Sequence, residues 1–360
     1  MNHEDYTRPE RPVPPVTPIV KPSKNITMEQ VQRQVLDINA GLDDSSFAVR
    51  PAEKWIQIAA RKAPVKKLFG ELWHEGELCI LFADTNIGKS ILAVQIADSI
   101  SRGEAIPGFV MEVRAQPVLY FDFEMTAKQF QMRYTAADGR MHPFSHELLR
   151  AEMNAGATWL DKGFKNFEDY MDYEMDKMLK QTGIKVVIVD NITYLRTETE
   201  QAKDALPLMK KLKSLKDKND VSLLVLAHTP KRDPSRPLTI NDLQGSKHLA
   251  NFADSIFALG KSHTDERIRY IRQLKQRNTE EVYTTDHIAL CQIVKPDCFL
   301  MLELVGHGVE QHHLRETGDK ERRALIQSAK DLSANGNTQR EIARQLGISV
   351  AAVNKYLKTD

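Results

Sequence analysis

The chain has 360 residues, 41% of them hydrophobic and 28% charged, with a formal net charge of +1. That length allows two or three domains, and that apolar content fills a real core. A near-neutral chain has no global field for nucleic acid, so any such contact must come from local patches. The three cysteines, Cys79, Cys291 and Cys298, form no C-x-x-C pair, as expected of a reduced, cytoplasmic protein. Cys291, Cys298, His307, His312 and His313 are metal-type side chains, but their spacings match no zinc pattern. The N-terminus lacks the apolar core of a signal peptide, and no run approaches the ~20 apolar residues of a membrane span.

In chain order, residues 1–24 are proline-rich and read as extended, unpacked chain. The stretch NITMEQVQRQVLDINAGL then has helical spacing, with Met28, Val31, Val35 and Leu36 on one face and Gly41 as a stop. Such a helix can dock on its own domain or on a neighbouring subunit. Residues 1–50 thus form a disordered arm with a short helix.

From about residue 65 short apolar runs alternate with amphipathic stretches. The expected strands are 78–83, 117–123, 185–190, 221–227 and 255–260, with helices at 89–102, 126–137, 164–182 and 202–218. Near-continuous apolar strands separated by helices imply a parallel sheet covered on both faces. After 260, RYIRQLKQ, HIALCQIV and CFLMLELV follow without helices, which implies an antiparallel extension. The fold class is α/β, with one such core over 51–312 and a small all-α domain over 316–360.

The segment LFADTNIGKS carries most of G-x-x-x-x-G-K-[ST], with Ala83 in place of the first glycine. A strand precedes it and a helix follows it. Backbone N–H groups of such a loop curl around phosphates, and the helix N-terminus adds partial positive charge. The nucleotide-binding residues are therefore Ala83, Asp84, Thr85, Asn86, Ile87, Gly88, Lys89, Ser90 and Ile91. Lys89 places a cation on the outer phosphates of ATP, and Ser90 offers a hydroxyl to Mg²⁺. Ala83 is tolerated if it keeps an ordinary strand-exit conformation, because only a positive φ or a Cβ collision demands glycine.

Asp190 ends the run VVIVD and is the second Mg²⁺ residue. The residue after it, Asn191, is a poor base. YFDFEM offers Glu124 at the end of another strand as the water-activating carboxylate, with Asp122 not excluded.

These motifs resemble the RecA/DnaB-type motor ATPases, and within them the RepA-like hexameric helicases of plasmids and mobile elements, in the AAA family. The resemblance spans roughly Leu68 to Leu304. It implies a RecA-like core. LLVLAHTPKR is similar to the strand ending in a γ-phosphate sensor, here His228. LQGSKHLANFADSIFAL looks like the segment after it, with Gly245, Ser246 and Asp254. LKQRN resembles the lysine–x–arginine pair that reaches a neighbour's nucleotide, here Lys275 and Arg277. On chemistry alone His228 is an ordinary strand-end histidine, and Lys275 and Arg277 simply share one strand face.

Two loops, 195–205 and 229–244, follow strand ends where open α/β sheets bind ligands. In a ring they face the channel, and Lys231, Arg232 and Arg236 track single-stranded DNA; ordinary surface loops are the alternative. The tail TQREIARQLGISVAAVNKYLK has Ile342, Ala343 and Leu346 on one helical face and Val353, Tyr356 and Leu357 on the next, joined at Gly347 with Ser349 as N-cap. It resembles the helix-turn-helix of resolvases and regulators. That implies duplex DNA contacts from Val350, Ala351, Asn354 and Lys355, and phosphate contacts from Arg340, Arg344 and Lys358. A three-helix protein-binding module is the alternative.

The expected function is that of an oligomeric, ring-forming ATP- and Mg²⁺-dependent DNA helicase. A nucleotide-gated DNA-binding regulator and a filament-forming recombination ATPase are the alternatives.

Overall fold

The computed structural model describes residues 47–154, 162–195, 205–229, 232–243, 246–315 and 318–358, besides Thr27 and Glu29. The expected N-terminal helix, most of loop 195–205, Lys231 and Gly245 lie outside the described residues. The chain divides into two compact units, residues 1–64 and 65–360. In the first, helix α1 (Ala52–Ala60) buries none of its residues, leaves Trp55 and Ile56 exposed, and holds the Arg50 guanidinium over the Trp55 ring.

The second unit begins with a small pair, β1 (Lys67–Phe69) and β2 (Trp73–His74), then β3 (Leu78–Ala83) and helix α2 (Lys89–Arg102). Next come β4 (Val118–Asp122), α3 (Ala127–Arg133), β5 (Leu148–Ala151), α4 (Phe167–Thr182) and β6 (Val186–Asp190). They are followed by α5 (Ala205–Asn219), β7 (Ser222–His228), α6 (Ser246–Phe252) and β8 (Ser255–Lys261). The strands β9 (Ile268–Lys275), β10 (Ile288–Val294) and β11 (Met301–Gly308) precede helices α7 (Gly318–Ala334), α8 (Gln339–Leu346) and α9 (Val350–Leu357).

Among the described residues, nine strands form one sheet in the order β11-β10-β9-β8-β3-β7-β6-β4-β5. The six from β8 to β5 are parallel, and β9, β10 and β11 extend the sheet antiparallel. Every residue of β3, β4 and β6 is buried, as their unbroken apolar runs require between two helical layers. Two hydrophobic clusters result, one on each face of the sheet. One gathers Leu81, Leu92 and Ile96 beneath α2; the other gathers Ile80, Met175 and Met209 beneath α4 and α5.

Two elements differ from expectation. Helix α3 stops at Arg133, not at 137. Its N-cap is a full capping box between Thr126 and Gln129, but beyond Tyr134 an antiparallel bridge, Thr135 to Met141, closes over a turn at left-handed Gly139. Strand β5 was not expected at all. Its residues are half-buried or exposed, so no apolar run announces it, yet it pairs in parallel with β4.

The last three helices pack around Ala329, Ile342, Ala343 and Val353, with Leu346, Ile348, Tyr356 and Leu357 against them. Left-handed Gly347 ends α8, and Ser349 caps α9 by accepting from Ala352 N at 3.2 Å.

Candidate active site

The phosphate loop leaves the central strand. Ala83 is fully buried and still paired, in register with His228 on one side and Leu259 on the other. It keeps an extended conformation, so alanine meets the condition that the missing glycine raised. The turn is made further on, at left-handed Asn86 (φ 63°) and Gly88 (φ 113°). A Cβ on Gly88 would stand 3.0 Å from the Ile293 side chain, so the overhanging β10 also crowds that position. The loop encloses a cavity of about 340 Å³ lined by Asp84, Thr85, Asn86, Gly88, Lys89, Ser90 and Ile91. Ile87 instead turns into the core with Ala83, and its carbonyl accepts from Arg269 Nε at 3.0 Å.

Lys89 is buried in this hollow. Its ammonium lies 3.2 Å from both the Ala227 carbonyl and His228 Nδ1, and desolvation lowers its pKa. Two strands from β3, Asp190 is fully buried. Tyr120 donates to its Oδ2 at 2.7 Å, while its Oδ1 has no hydrogen-bond partner. Burial, with Glu124 close by, raises the Asp190 pKa to about 6; the Ser90 and Tyr120 hydroxyls and Lys89 partly counter this. A buried carboxylate oxygen with a free valence beside Ser90 is what Mg²⁺ requires of a protein. Among the described residues no group of three His, Cys, Asp or Glu side chains is placed to hold a metal ion, so a cation here would draw the rest of its ligands from outside the protein.

Three strands from β3, Glu124 follows β4 and reaches the same hollow. Its Oε1 lies 2.9 Å from His228 Nε2 and accepts from Asn191 Nδ2, and Asn191 Nδ2 is itself 2.9 Å from His228 Nε2. The contact with His228, together with Lys89 and Asn191, lowers the Glu124 pKa, so the carboxylate is ionised at neutral pH. The structure therefore brings Lys89, Asp190, Glu124 and His228 together. Asn191 joins them as a bridging amide.

Asp122 is excluded from this group. Its Oδ1 accepts from the Glu124 and Met125 amides at 3.1 and 2.8 Å, and its Oδ2 from Arg150 Nε at 2.9 Å. It braces the turn that presents Glu124. Sequence reasoning missed Arg133. It lines the same cavity from the last turn of α3, and its Nη1 is buried without a hydrogen-bond partner. The available signal was its position, nine residues after Glu124 at the end of a helix that the capping box fixes.

Lys275 and Arg277 lie elsewhere. Lys275 pairs with Ile256 at the start of β8, at the amino ends of the parallel strands, whereas the phosphate loop leaves their carboxyl ends. Lys275 donates to the Ala250 and Ala253 carbonyls at 2.6 and 2.7 Å, and Arg277 to Asp254 at 3.0 Å. Neither reaches the hollow of its own chain. In the second expected loop Arg236 is exposed, but Arg232 turns inward. Its side chain is 6% exposed, with Nε 3.5 Å from Asp84 Oδ2. The reason is the carboxylate that this phosphate loop carries. In the tail, Arg340, Arg344, Val350, Ala351, Asn354, Lys355 and Lys358 are all exposed.

A phosphate loop on the central strand of an α/β sheet, facing acids two and three strands away at the same sheet edge, defines a P-loop ATPase. The chain belongs to the AAA domain family, whose match covers residues 45–234, more than half of its length. It is also similar to the crystal structure of a KaiC-like protein from the hyperthermophilic archaeon Pyrococcus horikoshii. That similarity has 15% sequence identity and a TM-score of 0.46, and covers 66% of this chain and 99% of the other. No helix among the described residues is long and apolar enough to cross a membrane.

Proposed function

We propose that this ATPase is an oligomeric DNA motor, in its concrete form a hexameric helicase of a plasmid or mobile element. The observation that carries the reading is the Glu124–Asn191–His228 network. It joins the carboxylate suited to activating water to the strand end from which loop 229–244 departs. A change in phosphate contacts at His228 is then felt both by the base and by a loop suited to a DNA backbone.

In this reading Gly88 and the loop amides hold the phosphates, and Lys89 neutralises the outer ones. Ser90 and Asp190 would hold Mg²⁺, which would supply positive charge against the phosphates. Glu124 orients the attacking water and takes its proton. Arg133 lines the cavity and supplies a cation beside the phosphates. Lys275 and Arg277, at the far edge of the sheet, serve the nucleotide of the next subunit. The exposed face of α9, with Asn354 and Lys355, reads duplex DNA, while Arg340 and Arg344 contact phosphates.

The test is turnover and strand displacement with single-stranded and duplex DNA, alongside mass measurement with and without ATP. Stimulation by single strands, a ring-sized mass and unwinding support the motor. Turnover that ignores single strands and no unwinding would remove it. A nucleotide-gated regulator is the second reading. It is favoured by the three-helix tail, which leaves Asn354 and Lys355 exposed; stimulation by duplex alone identifies it.

A further inference from the structure

Asp84 is out of place electrostatically. It lines the phosphate cavity, where a carboxylate repels the triphosphate it helps to enclose. The structure shows where its charge goes. Asp84 Oδ1 accepts a hydrogen bond from Thr229 Oγ1, and Oδ2 faces Arg232 Nε at 3.5 Å. Arg232 is nearly buried, and that Nε has no hydrogen-bond partner. Thr229 directly follows His228, the last residue of β7.

The segment carrying this clasp is anchored further on as well. Leu238 N donates to buried Glu310 at 2.7 Å, and Glu310 also accepts from Arg272 at 2.7 Å. The Arg315 amide donates to the Pro234 carbonyl at 3.1 Å. Thr229 and Arg232 therefore join the phosphate loop to a segment that has its own footing on β9 and on the chain after β11.

We propose that Asp84 is a positioning residue that makes nucleotide affinity depend on where Arg232 is. With the clasp closed, the guanidinium neutralises Asp84 and the cavity accepts phosphates. With Arg232 drawn away, an uncompensated carboxylate faces the phosphates and expels them. Linkage makes the effect reciprocal: bound nucleotide holds Arg232 in, and an anion that captures Arg232 weakens nucleotide binding by the same factor. A DNA backbone phosphate is such an anion. The inference rests on the hollow being the nucleotide site, and it identifies a route by which that site communicates with loop 229–244.

The experiment is a double-mutant cycle on the full chain, read as Mg-ADP affinity by calorimetry. Arg232→Ala weakens binding about fivefold, the size expected of a partly screened ion pair. Arg232→Lys, which keeps the charge, stays closer to wild type. In an Asp84→Asn background Arg232→Ala changes affinity less than about twofold, because no carboxylate is left to compensate. Equal weakening in both backgrounds would show that Arg232 acts directly on the nucleotide or on folding, and would overturn the proposal. Absence of any weakening would do the same. Lys89→Ala separates the two layers: ADP binding that survives it removes the hollow as the site, and the coupling with it.

Discussion

The two edges of the parallel sheet treat their charged groups in opposite ways. At the amino edge the carboxylates are saturated. Glu77 accepts from His74 N at 3.0 Å, Ser255 Oγ at 2.7 Å and Asn278 Nδ2 at 2.7 Å, and Asp254 accepts from Leu78 N at 2.9 Å and Arg277 at 3.0 Å. At the carboxyl edge Asp122 is saturated as well, but other groups leave valences open. Asp190 Oδ1 and Arg133 Nη1 are buried without partners, and Glu124 is a third exposed. Strand β3 contributes to both edges with six buried apolar residues, so the difference lies in the groups at its ends and not in the strand. Carboxylates saturated in this way hold a fold; a buried valence left open needs another explanation, and a bound ligand is one.

Arg277 is where this comparison can break. It sits at the saturated edge, paired with Asp254, yet the proposed motor needs it for a neighbour's phosphates. Arg277→Ala is expected to lower turnover by roughly 10³–10⁵-fold while ATP still binds. Mixing that variant with Lys89→Ala should restore turnover at mixed interfaces. Failure of that rescue returns Arg277 to the structural edge.

At the carboxyl edge, Glu124→Gln should lower turnover by roughly 10²–10⁴-fold with nucleotide affinity kept. Its thermal midpoint should stay near wild type, since the amide still fits between Asn191 and His228. Near-normal turnover would move the base elsewhere. Glu77→Ala is the amino-edge counterpart. It leaves three donors without an acceptor and should cost about 3 kcal/mol of stability in a denaturant titration. Turnover per folded molecule should be unchanged.

The sequence made much of the carboxyl edge legible. Apolar runs fixed the buried strands, and the loop and strand-end acids pointed to Lys89, Asp190 and Glu124. Short-range pattern failed where partners come from far along the chain. Arg133 lies in a polar helix without a local motif, and Asn191 was read only as a weak base, because its bridging role appears when β6, β7 and β4 stand side by side. The inward turn of Arg232 depends on Asp84, well over a hundred residues away. Strand β5 carries too little apolar pattern to announce an edge position.

Asp190 gives the smallest effect and the sharpest contrast, because its removal should stabilise the protein. Without nucleotide or metal its charge is buried with one oxygen unpaired. Its pKa is raised from the ordinary aspartate value of 3.8 to about 6, by that burial first and by nearby Glu124 second. The folded state therefore holds the proton more tightly than the unfolded chain. Below the unfolded value both states are neutral at this group and nothing is lost. As pH rises from about 4 to about 6 the unfolded chain ionises first, and stability falls; above about 6 the loss is complete. The two pKa values bound that loss at about 3 kcal/mol. Asp190→Asn removes the titration and keeps an acceptor for Tyr120, but it introduces an amide that needs its own partner, so a net gain of about 1 kcal/mol is expected. In chelator, the stability difference between variant and wild type should grow from pH 4 to pH 6 and then level off, while Mg²⁺-dependent turnover disappears. A variant less stable than wild type above pH 6 would mean that Asp190, like Glu77, holds the fold together, and the two edges would no longer differ in kind.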